Sequence, residues 1–307
     1  MMAKLQEDPN LSGVLLLDKP AGPTSHDMVG LVRRLYGTRR VGHTGTLDPL
    51  ATGLLVVLVG RAAKAAEYLV SDEKHYTATL RLGMTTDTED ITGEVLTHTD
   101  ILPDAAEVAS VCAAMVGKSE QIPPMYSALK VGGRKLVDIA RAGGEVERKA
   151  RPIEIYSLTC SPTDVPSDYL LDVHCSKGTY IRTLCADIGA KLGCGGVMAT
   201  LRRTGSGEFS LAHAYTPEQL GAMSSEERRG CLTPPEMLFA SLPALRVGEF
   251  HEKLLRGGCA VAARKLGFHH PLRTRVRLCG KDGFFALGEV VEAENEPAVK
   301  MVKLFTL

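Results

Sequence analysis

Short apolar runs divide the chain into elements, and their spacing separates strands from helices. Residues 54–59 are continuously apolar, which is typical of a strand buried on both faces. Residues 74–82 alternate instead and place Tyr76 on the same face as Ala78 and Leu80, as in a half-buried strand. Residues 13–17 are a third apolar run. We therefore predict three strands in the first third of the chain.

Helical periodicity predicts four helices. The first runs to about Tyr36, and either Thr24 or Ser25 is suited to cap its beginning. The others span residues 105–116, 135–142 and 180–192.

The remaining β-like segments group in hairpin-like pairs. Residues 152–160 and 169–175 are strands separated by a polar turn. Because the strands cluster with helices between them, without regular strand-helix-strand repetition, the pattern predicts an α+β fold. After a Pro-rich linker at 233–235, three glycine-bounded pieces at 273–279, 283–291 and 299–305 predict a small barrel. We expect one domain over residues 1–245 and a second over 246–307.

Composition describes an ordinary globular protein whose charge is unevenly distributed. Its 307 residues are 44% hydrophobic, with 36 basic and 36 acidic side chains. A zero net charge taken alone argues against a nucleic-acid binder. The last 62 residues, however, carry 11 basic and 7 acidic side chains, a balance of +4, which leaves −4 for the remainder. The tail is thus a basic module that could contact phosphates.

The eight cysteines form no Cys-x-x-Cys pair, so zinc-ribbon spacing is missing. The polar start, residues 1–9, predicts a loose terminus rather than a secretory signal. No apolar run approaches the length of a membrane span. We expect free thiols and a cytoplasmic protein without membrane association.

The stretch whose residues are best suited to catalysis is 42–53, GHTGTLDPLATG. It shows neither a helical stripe nor an alternation, so we predict an ordered loop. Asp48 precedes Pro49, which favours an extended backbone at Asp48. A carboxylate held on a stiff loop at the mouth of a buried strand suits a nucleophile or general base. The alternative for an isolated Asp-Pro pair is a turn in which the Asp bonds its own backbone.

Two other regions suggest partners for such a carboxylate. Arg182 lies near the start of a predicted helix, where the helix dipole disfavours a cation, so we expect an anionic partner, with Asp48 as the candidate. Residues 121–151 are basic, glycine-hinged and long, which fits either a lid or a solvated hairpin. Four arginines at 33, 34, 39 and 40 fit either a solvated helix end or an RNA backbone contact.

The loop and several other segments resemble one family. GHTGTLDPLATGLL, at residues 42–55, resembles the catalytic motif of the bacterial tRNA pseudouridine synthase B family. Segments that agree with the same family follow in order: KPAGPTS at 19–25, KHY at 74–76, TDTED at 86–90, PPMYSALK at 123–130 and GTYIRTL at 178–184. Residues 275–288 resemble more weakly the RNA-binding domain shared by pseudouridine synthases and archaeosine transglycosylases.

This resemblance implies a fold, a substrate and partners. The fold is a mixed, mostly antiparallel sheet of pseudouridine synthase type followed by a small PUA-like β-barrel domain. The substrate is the T-loop uridine of tRNA, position 55, which is isomerised to pseudouridine after it is flipped out of the loop. The partner is the T-arm stem-loop of tRNA, clamped by the insertion at 121–151. The family implies a monomer without an obligate protein partner and a second role in assisting tRNA folding.

The resemblance also implies residue roles. Asp48 is the nucleophile, and Arg182 orients its carboxylate. Tyr76 stacks on the base, and its phenol could help to move a proton.

Four further residues complete the site implied by the resemblance. Lys19 braces the pocket, His43 shapes RNA entry, and Asp90 and Tyr180 bind the substrate. The reaction demands no cofactor or metal, and the nine histidines show no ligand pattern.

Two other classes stay open at this stage. An RNA-binding or RNA-folding protein without chemistry would need the basic tail and the lid, but it would not need Asp48 paired with Arg182. A carboxylate-dependent glycosidase could use Asp48 with Asp90 as its acid and base. The second reading leaves the matching segments unexplained.

Overall fold

The computed structural model describes residues 8, 10–68, 73–127 and 129–306. The predicted loose terminus lies, apart from Asp8, outside these described residues, as does position 128 of the PPMYSALK segment.

Strands dominate the first part of the chain. Its elements are β1 (Ser12–Lys19), α1 (Ser25–Tyr36), β2 (Val41–His43), β3 (Thr52–Gly60), a 3-10 helix (Arg61–Glu67), β4 (Lys74–Leu82), β5 (Met84–Thr86), β6 (Val95–His98), α2 (Ala105–Ala114) and β7 (Gly117–Gln121). Thr24 caps α1 in a reciprocal capping box with Asp27, as the sequence pattern predicted for one of two residues.

The middle of the chain adds a hairpin, two long strands, a helix and a third long strand. Its elements are β8 (Lys130–Val131), β9 (Arg134–Lys135), α3 (Leu136–Arg141), β10 (Arg151–Pro162), β11 (Asp168–Cys175), α4 (Ile181–Leu192), β12 (Gly196–Ser206) and β13 (Phe209–Ser210). The last part contains a 3-10 helix (Leu211–His213), α5 (Pro217–Ala222), α6 (Ser225–Gly230), a 3-10 helix (Pro235–Phe239), β14 (Ala244–Arg246), α7 (Glu249–Arg256), β15 (Val261–Ala262), a 3-10 helix (Ala263–Leu266), β16 (Arg275–Gly280), β17 (Gly283–Ala293) and β18 (Glu296–Leu304).

The main sheet has nine strands among the described residues, with the central order β1-β3-β12-β4-β11-β10-β7. Its pairs are antiparallel except for β3 and β12, which run parallel where Thr52 faces Arg202 and Gly53 faces Arg203. The pairing brings residues about 150 positions apart in the chain side by side. Strand β12 therefore joins the two halves of the sheet.

The sequence pattern missed β12. Its inward positions include Ala199, Leu201 and Arg203, whereas Thr200 and Arg202 are exposed. Arg203 is a charged residue at a position where the alternation calls for an apolar one. The pairing with β4 also shifts register twice, which changes the positions that face inward. The stretch between α4 and the tail thus lacked a clean period-two signal.

The helices cover one face of the sheet. Helices α1, α2 and α4 pack their apolar sides onto it and form a core cluster with inward side chains such as Leu17, Leu55 and Leu80. Four apolar helix residues, Leu35, Val111, Met115 and Leu192, are only partly buried. These side chains lie at the margins of the cluster.

The other face of the sheet packs against the end of the chain. Outward side chains of β1 and β3, such as Val14 and Val56, join Phe239, Phe284 and Phe305 in one cluster. A second sheet, of order β14-β16-β17-β18-β15, holds this end together around its own core. The two sheets are therefore joined through a shared apolar layer.

The α+β fold class predicted from the pattern is confirmed, with a mostly antiparallel main sheet and a small, curled C-terminal sheet of PUA-like type. Residue 244 already pairs in the second sheet, and this sheet therefore begins two residues before the predicted domain boundary. The boundary itself stays a prediction. Within the described residues, no helix has the length and apolar character needed to cross a membrane. All eight cysteines are free thiols.

Candidate active site

The loop that carries Asp48 is fixed through its backbone. Residues 44–51 connect β2 to β3, so the predicted loop is slightly shorter than the motif, whose ends are strands. Ser25, at the start of α1, both donates to the Leu47 carbonyl at 2.9 Å and accepts from the Leu47 amide at 2.8 Å. This reciprocal pair leaves the residue before Asp48 little freedom.

Lys19 braces the same loop from the end of β1. It is fully buried, and its Nζ donates to the carbonyls of Pro20 at 2.9 Å, Pro49 at 3.2 Å and Ala51 at 2.7 Å. Burial lowers the pKa of Lys19 to about 8, while the Asp48 carboxylate opposes that change. Three donors thus meet three carbonyls, two of them in the loop.

Asp48 and Arg182 form the ion pair at the centre of the site. The Arg182 Nη2 lies 3.0 Å from the Asp48 Oδ2. The Asp48 side chain is 39% exposed, whereas that of Arg182 is 5% exposed. The carboxylate therefore opens to solvent and to a substrate, while the guanidinium holds it from below.

Arg182 also connects two other segments to Asp48. It donates to the carbonyl of Thr88 at 3.1 Å and to the carbonyl of Tyr126, in the insertion, at 2.7 Å. Its Nη1 lies 3.9 Å from the Asp90 Oδ2. The side chain at the beginning of α4 is thus the point where the loop, the TDTED turn and the insertion meet.

Asp90 is held more firmly than Asp48. It is buried, and its Oδ1 accepts from the hydroxyl of Thr88 at 2.9 Å and from the amide and hydroxyl of Thr92 at 2.9 and 2.6 Å. Its turn is fixed to β12, because the amide of Ile91 donates to the carbonyl of Met198 at 3.0 Å. One carboxylate oxygen is saturated, and the other faces Arg182.

Tyr76 lies on the inward face of β4 and packs against the helix-covered core. Burial raises the pKa of its phenol, which a hydrogen bond and the charge of Arg203 partly counteract. The phenol is therefore protonated at neutral pH and offers a ring face together with a hydroxyl.

His43 and Tyr180 flank this centre. His43 is in β2, opposite Val57; burial, helped by the charge of Arg203, lowers its pKa, and its Nδ1 is buried without a partner among the described residues. Tyr180 precedes α4, and its amide and carbonyl are both bound by the Gln121 side chain, at 2.8 and 3.0 Å. Burial raises the pKa of the Tyr180 phenol. Both pKa shifts favour the neutral form of the side chain.

The insertion is a hairpin followed by a short helix. Gly132 and Gly133 form the two-residue turn between β8 and β9, with φ of 58° and 83°. Both values lie in the left-handed region that such a turn requires, which explains the Gly-Gly pair. The buried Leu136 anchors α3, and Tyr126 ties the base of the insertion to Arg182.

Arg203 is a site residue that the sequence pattern missed. It lies inward on β12, is 2% exposed, and donates to the Gly45 carbonyl of the loop at 3.0 Å. The sequence carried one signal for it: in the alternation of this strand, Arg203 takes the apolar position two residues after Leu201.

The described residues contain no cluster of three His, Cys, Asp or Glu side chains that could hold a metal ion. What the site offers is an open carboxylate, a buried guanidinium, a phenol ring and stiff backbone. Such a set suits nucleophilic or electrostatic chemistry on a flat, uncharged ring.

Two family profiles match consecutive parts of the chain. The profile described as "TruB family pseudouridylate synthase (N terminal domain)" matches residues 33–181. The profile described as "tRNA pseudouridylate synthase B C-terminal domain" matches residues 182–240. Asp48, Tyr76 and Asp90 fall in the first match, and Arg182 begins the second.

Individual proteins agree with the profiles. A tRNA pseudouridine synthase B of Syntrophotalea carbinolica is 46% identical over 264 residues, 85% of this chain and 82% of the relative. A protein of the same name from Alkaliphilus oremlandii is 39% identical over 297 residues, 96% of this chain and 98% of the relative. Among solved structures, Cbf5 in a Cbf5-Nop10-Gar1 complex is similar with a TM-score of 0.69 and 26% identity, covering 96% of this chain and 85% of that one.

Proposed function

The chain belongs to the TruB family of pseudouridylate synthases, and we propose from this premise that Asp48 is the nucleophile with which it isomerises a tRNA uridine. The protein is a tRNA pseudouridine synthase, and its target is the T-loop uridine at position 55.

One observation carries the proposal. The Asp48 carboxylate is open to solvent on one side and lies 3.0 Å from the buried Arg182 on the other. Backbone contacts from Lys19 and Ser25 prevent the loop from moving away. A nucleophile needs this combination of access and fixed direction.

The reaction is an isomerisation, so the composition of the nucleotide does not change. The N1–C1′ bond breaks and a C5–C1′ bond forms, while C5 loses a proton and N1 gains one. The detached uracil must stay in the pocket while it turns. Asp48 supplies the negative charge at the sugar or ring, Tyr76 the stacking face, and Arg182 the fixed position of the carboxylate.

Substrate binding extends the same proposal. The uridine enters as a flipped base, which costs least in a loop where pairing is already irregular. His43 borders the entrance, Asp90 and Tyr180 line the pocket, and the insertion at 121–151 closes over the T-arm stem-loop. The domain over 246–307 adds phosphate contacts to the catalytic domain over 1–245. We propose that the enzyme acts as a cytoplasmic monomer without an obligate protein partner and that it also assists tRNA folding.

The alternatives fit the geometry less well. A protein that only binds RNA has no use for a carboxylate braced by Lys19, Ser25 and Arg182. A glycosidase would need a second carboxyl free to donate a proton, but the Oδ1 of Asp90 already accepts three hydrogen bonds.

Tritium release from tRNA labelled at C5 of uridine tests the proposal. We expect release by the wild type and a loss of about 10⁴-fold or more in Asp48→Asn, because the amide keeps the shape and loses the anion. The affinity for tRNA should persist. The control is Asp172→Asn, an exposed carboxylate on the far side of the sheet that bonds Thr77.

Each other outcome has a defined meaning. Release by both proteins would keep the enzyme class and remove Asp48 from the nucleophile role. Release by neither, with tRNA still bound, would favour the protein that binds RNA without chemistry.

A further inference from the structure

Arg203 makes contacts to three parts of the site at once. Its Nε donates to the Leu54 carbonyl at 2.7 Å, and its Nη2 donates to the Gly45 carbonyl at 3.0 Å. It also lies opposite Tyr76 in the β4–β12 register, and its charge counteracts the rise that burial causes in the pKa of the Tyr76 phenol. One side chain thus touches the beginning of the Asp48 loop, the strand that follows it and the stacking residue.

The Arg203 guanidinium is a buried cation that donates to neutral backbone acceptors. Within the described part of the chain, no Asp or Glu lies within 4.0 Å of its guanidinium, although the side chain is almost fully buried. A buried cation paired only with neutral acceptors costs stability. An apolar side chain at this position would cost less free energy if its only role were to fill space in the core.

Two glycines of the central motif lie against residue 203, one beside its side chain and one beside its backbone. A Cβ at Gly45 would lie 3.3 Å from the Arg203 Nη1. A Cβ at Gly53, where φ is +95°, would lie 2.3 Å from the Arg203 carbonyl oxygen. Gly45 therefore leaves space for the Arg203 guanidinium, whereas Gly53 lets the backbone of the motif approach the backbone of β12.

We propose that Arg203 is a positioning residue for the isomerisation, which sets the Asp48 loop and the Tyr76 phenol in fixed places relative to each other. The proposal rests on the function proposed above and adds a residue to it.

Hydrogen-bond direction explains how Arg203 would orient the Tyr76 hydroxyl. A guanidinium only donates, so a hydrogen bond between these neighbouring side chains makes the Tyr76 oxygen the acceptor. The hydroxyl hydrogen of Tyr76 is then free to point into the pocket, where it meets an acceptor on the base. Without Arg203 the phenol could instead turn its hydrogen toward a backbone carbonyl.

Arg203→Lys is the most informative substitution. It keeps the charge but replaces a planar fork by a single nitrogen, which cannot reach the Leu54 and Gly45 carbonyls in the same geometry. We expect the single-turnover rate of C5 tritium release to fall by about 10- to 100-fold, since small misplacements of reacting groups have effects of that size. The affinity for tRNA should stay within about twofold, because Arg203 is buried away from the RNA surface.

The neighbouring Arg202 provides a matched control. It lies on the same strand but is exposed, and it bonds Asp18 at 2.7 Å on the other face. Arg202→Gln should leave the rate constant unchanged. Gly45→Ala tests the same contact from the loop side and does not depend on Arg203 variants being folded. It should lower the rate constant in the same direction, because its Cβ pushes against the guanidinium.

A double-mutant cycle with Tyr76→Phe tests the route of the effect. If Arg203 acts partly through the phenol, Arg203→Lys should lower the rate less in the Tyr76→Phe background than in the wild type. Fully additive effects would overturn the part of the proposal that concerns Tyr76.

The remaining outcomes separate this inference from the function it rests on. An unchanged rate constant in a folded Arg203→Lys, or in Gly45→Ala, with an active wild type would overturn the positioning role alone. No tritium release from the wild type would instead contradict the proposed function.

Discussion

Lys19 is a buried cation whose pKa lies in a pH range that stability and activity assays can cover. Its pKa of about 8 in the folded protein, against an ordinary value of 10.5, comes mainly from burial. Between these values the folded state binds fewer protons than the unfolded chain, so this group makes the protein more stable as pH rises from 8 toward 10.5. Below pH 8 the cost of burying the charge is fully present.

Activity should move in the opposite direction. Neutral Lys19 has two donors for three carbonyls, so one contact to the loop or to Pro20 is lost above pH 8. We expect kcat to fall about tenfold between pH 7.5 and 9.5 without a fall in Tm from this group. Lys19→Met should have a low kcat at every pH in this window, without that decline. A wild-type decline that persists in Lys19→Met would assign the titration to another group.

Single residues differ in how far the sequence could predict them. Asp48 and Arg182 belong to long motifs, so the resemblance picks out both residues and implies the roles proposed for them. The contacts of Lys19 and Ser25 do not, because each depends on carbonyls or amides of the loop more than twenty residues away. Every residue has a backbone carbonyl, so the residue type does not reveal which carbonyl accepts such a hydrogen bond.

At the scale of elements, the turn from the loop into β3 depends on Gly53. Gly53→Ala should destabilise the protein by about 2–5 kcal/mol, through backbone strain at φ +95° and a clash with the Arg203 carbonyl. Gly22→Ala is the control, because its φ of +103° is similar but a Cβ there has no neighbour within 4 Å. It should cost about 1–2 kcal/mol.

Urea unfolding measures both variants. Equal losses in Gly53→Ala and Gly22→Ala would show that backbone strain, and not the close approach of β12, explains the glycine at position 53.

Elements with a clean period were predictable, whereas β12 was not. The continuous run of β3 and the alternation of β4 match observed strands within two residues. In β12, buried Arg203 interrupts the pattern, and its partners β3 and β4 are both far away in the chain. Partner choice across such distances is a tertiary property that a local pattern does not contain.

For the whole molecule, the shared apolar layer makes the C-terminal sheet part of the catalytic fold. Phe305→Ala should lower stability by about 3–5 kcal/mol, or about 6–20 °C in Tm, and the loss should appear in one cooperative transition. Phe305 is fully buried against Phe239 and Phe284, whereas Phe250 is 72% exposed. Phe250→Ala is therefore expected to be nearly neutral.

Calorimetry distinguishes the alternatives. Two separate transitions in Phe305→Ala, with only the smaller one shifted, would mean that the C-terminal sheet unfolds independently. Deleting residues 246–307 is a poor test of RNA binding for the same reason, since it would strip Phe284, Leu287 and Phe305 from the outer face of the main sheet.

The parallel pairing of β3 with β12 also sets a time at which the enzyme can become active during its synthesis. The ribosome completes the Asp48 loop first, but Arg182 follows more than 130 residues later, and the strand that pairs with Thr52 at Arg202 comes later still. A growing chain shorter than about 206 residues therefore holds the Asp48 loop without the strand that completes its surroundings. Long-range pairing of this kind forms slowly, so half-made chains should leave the abundant tRNAs around them unmodified.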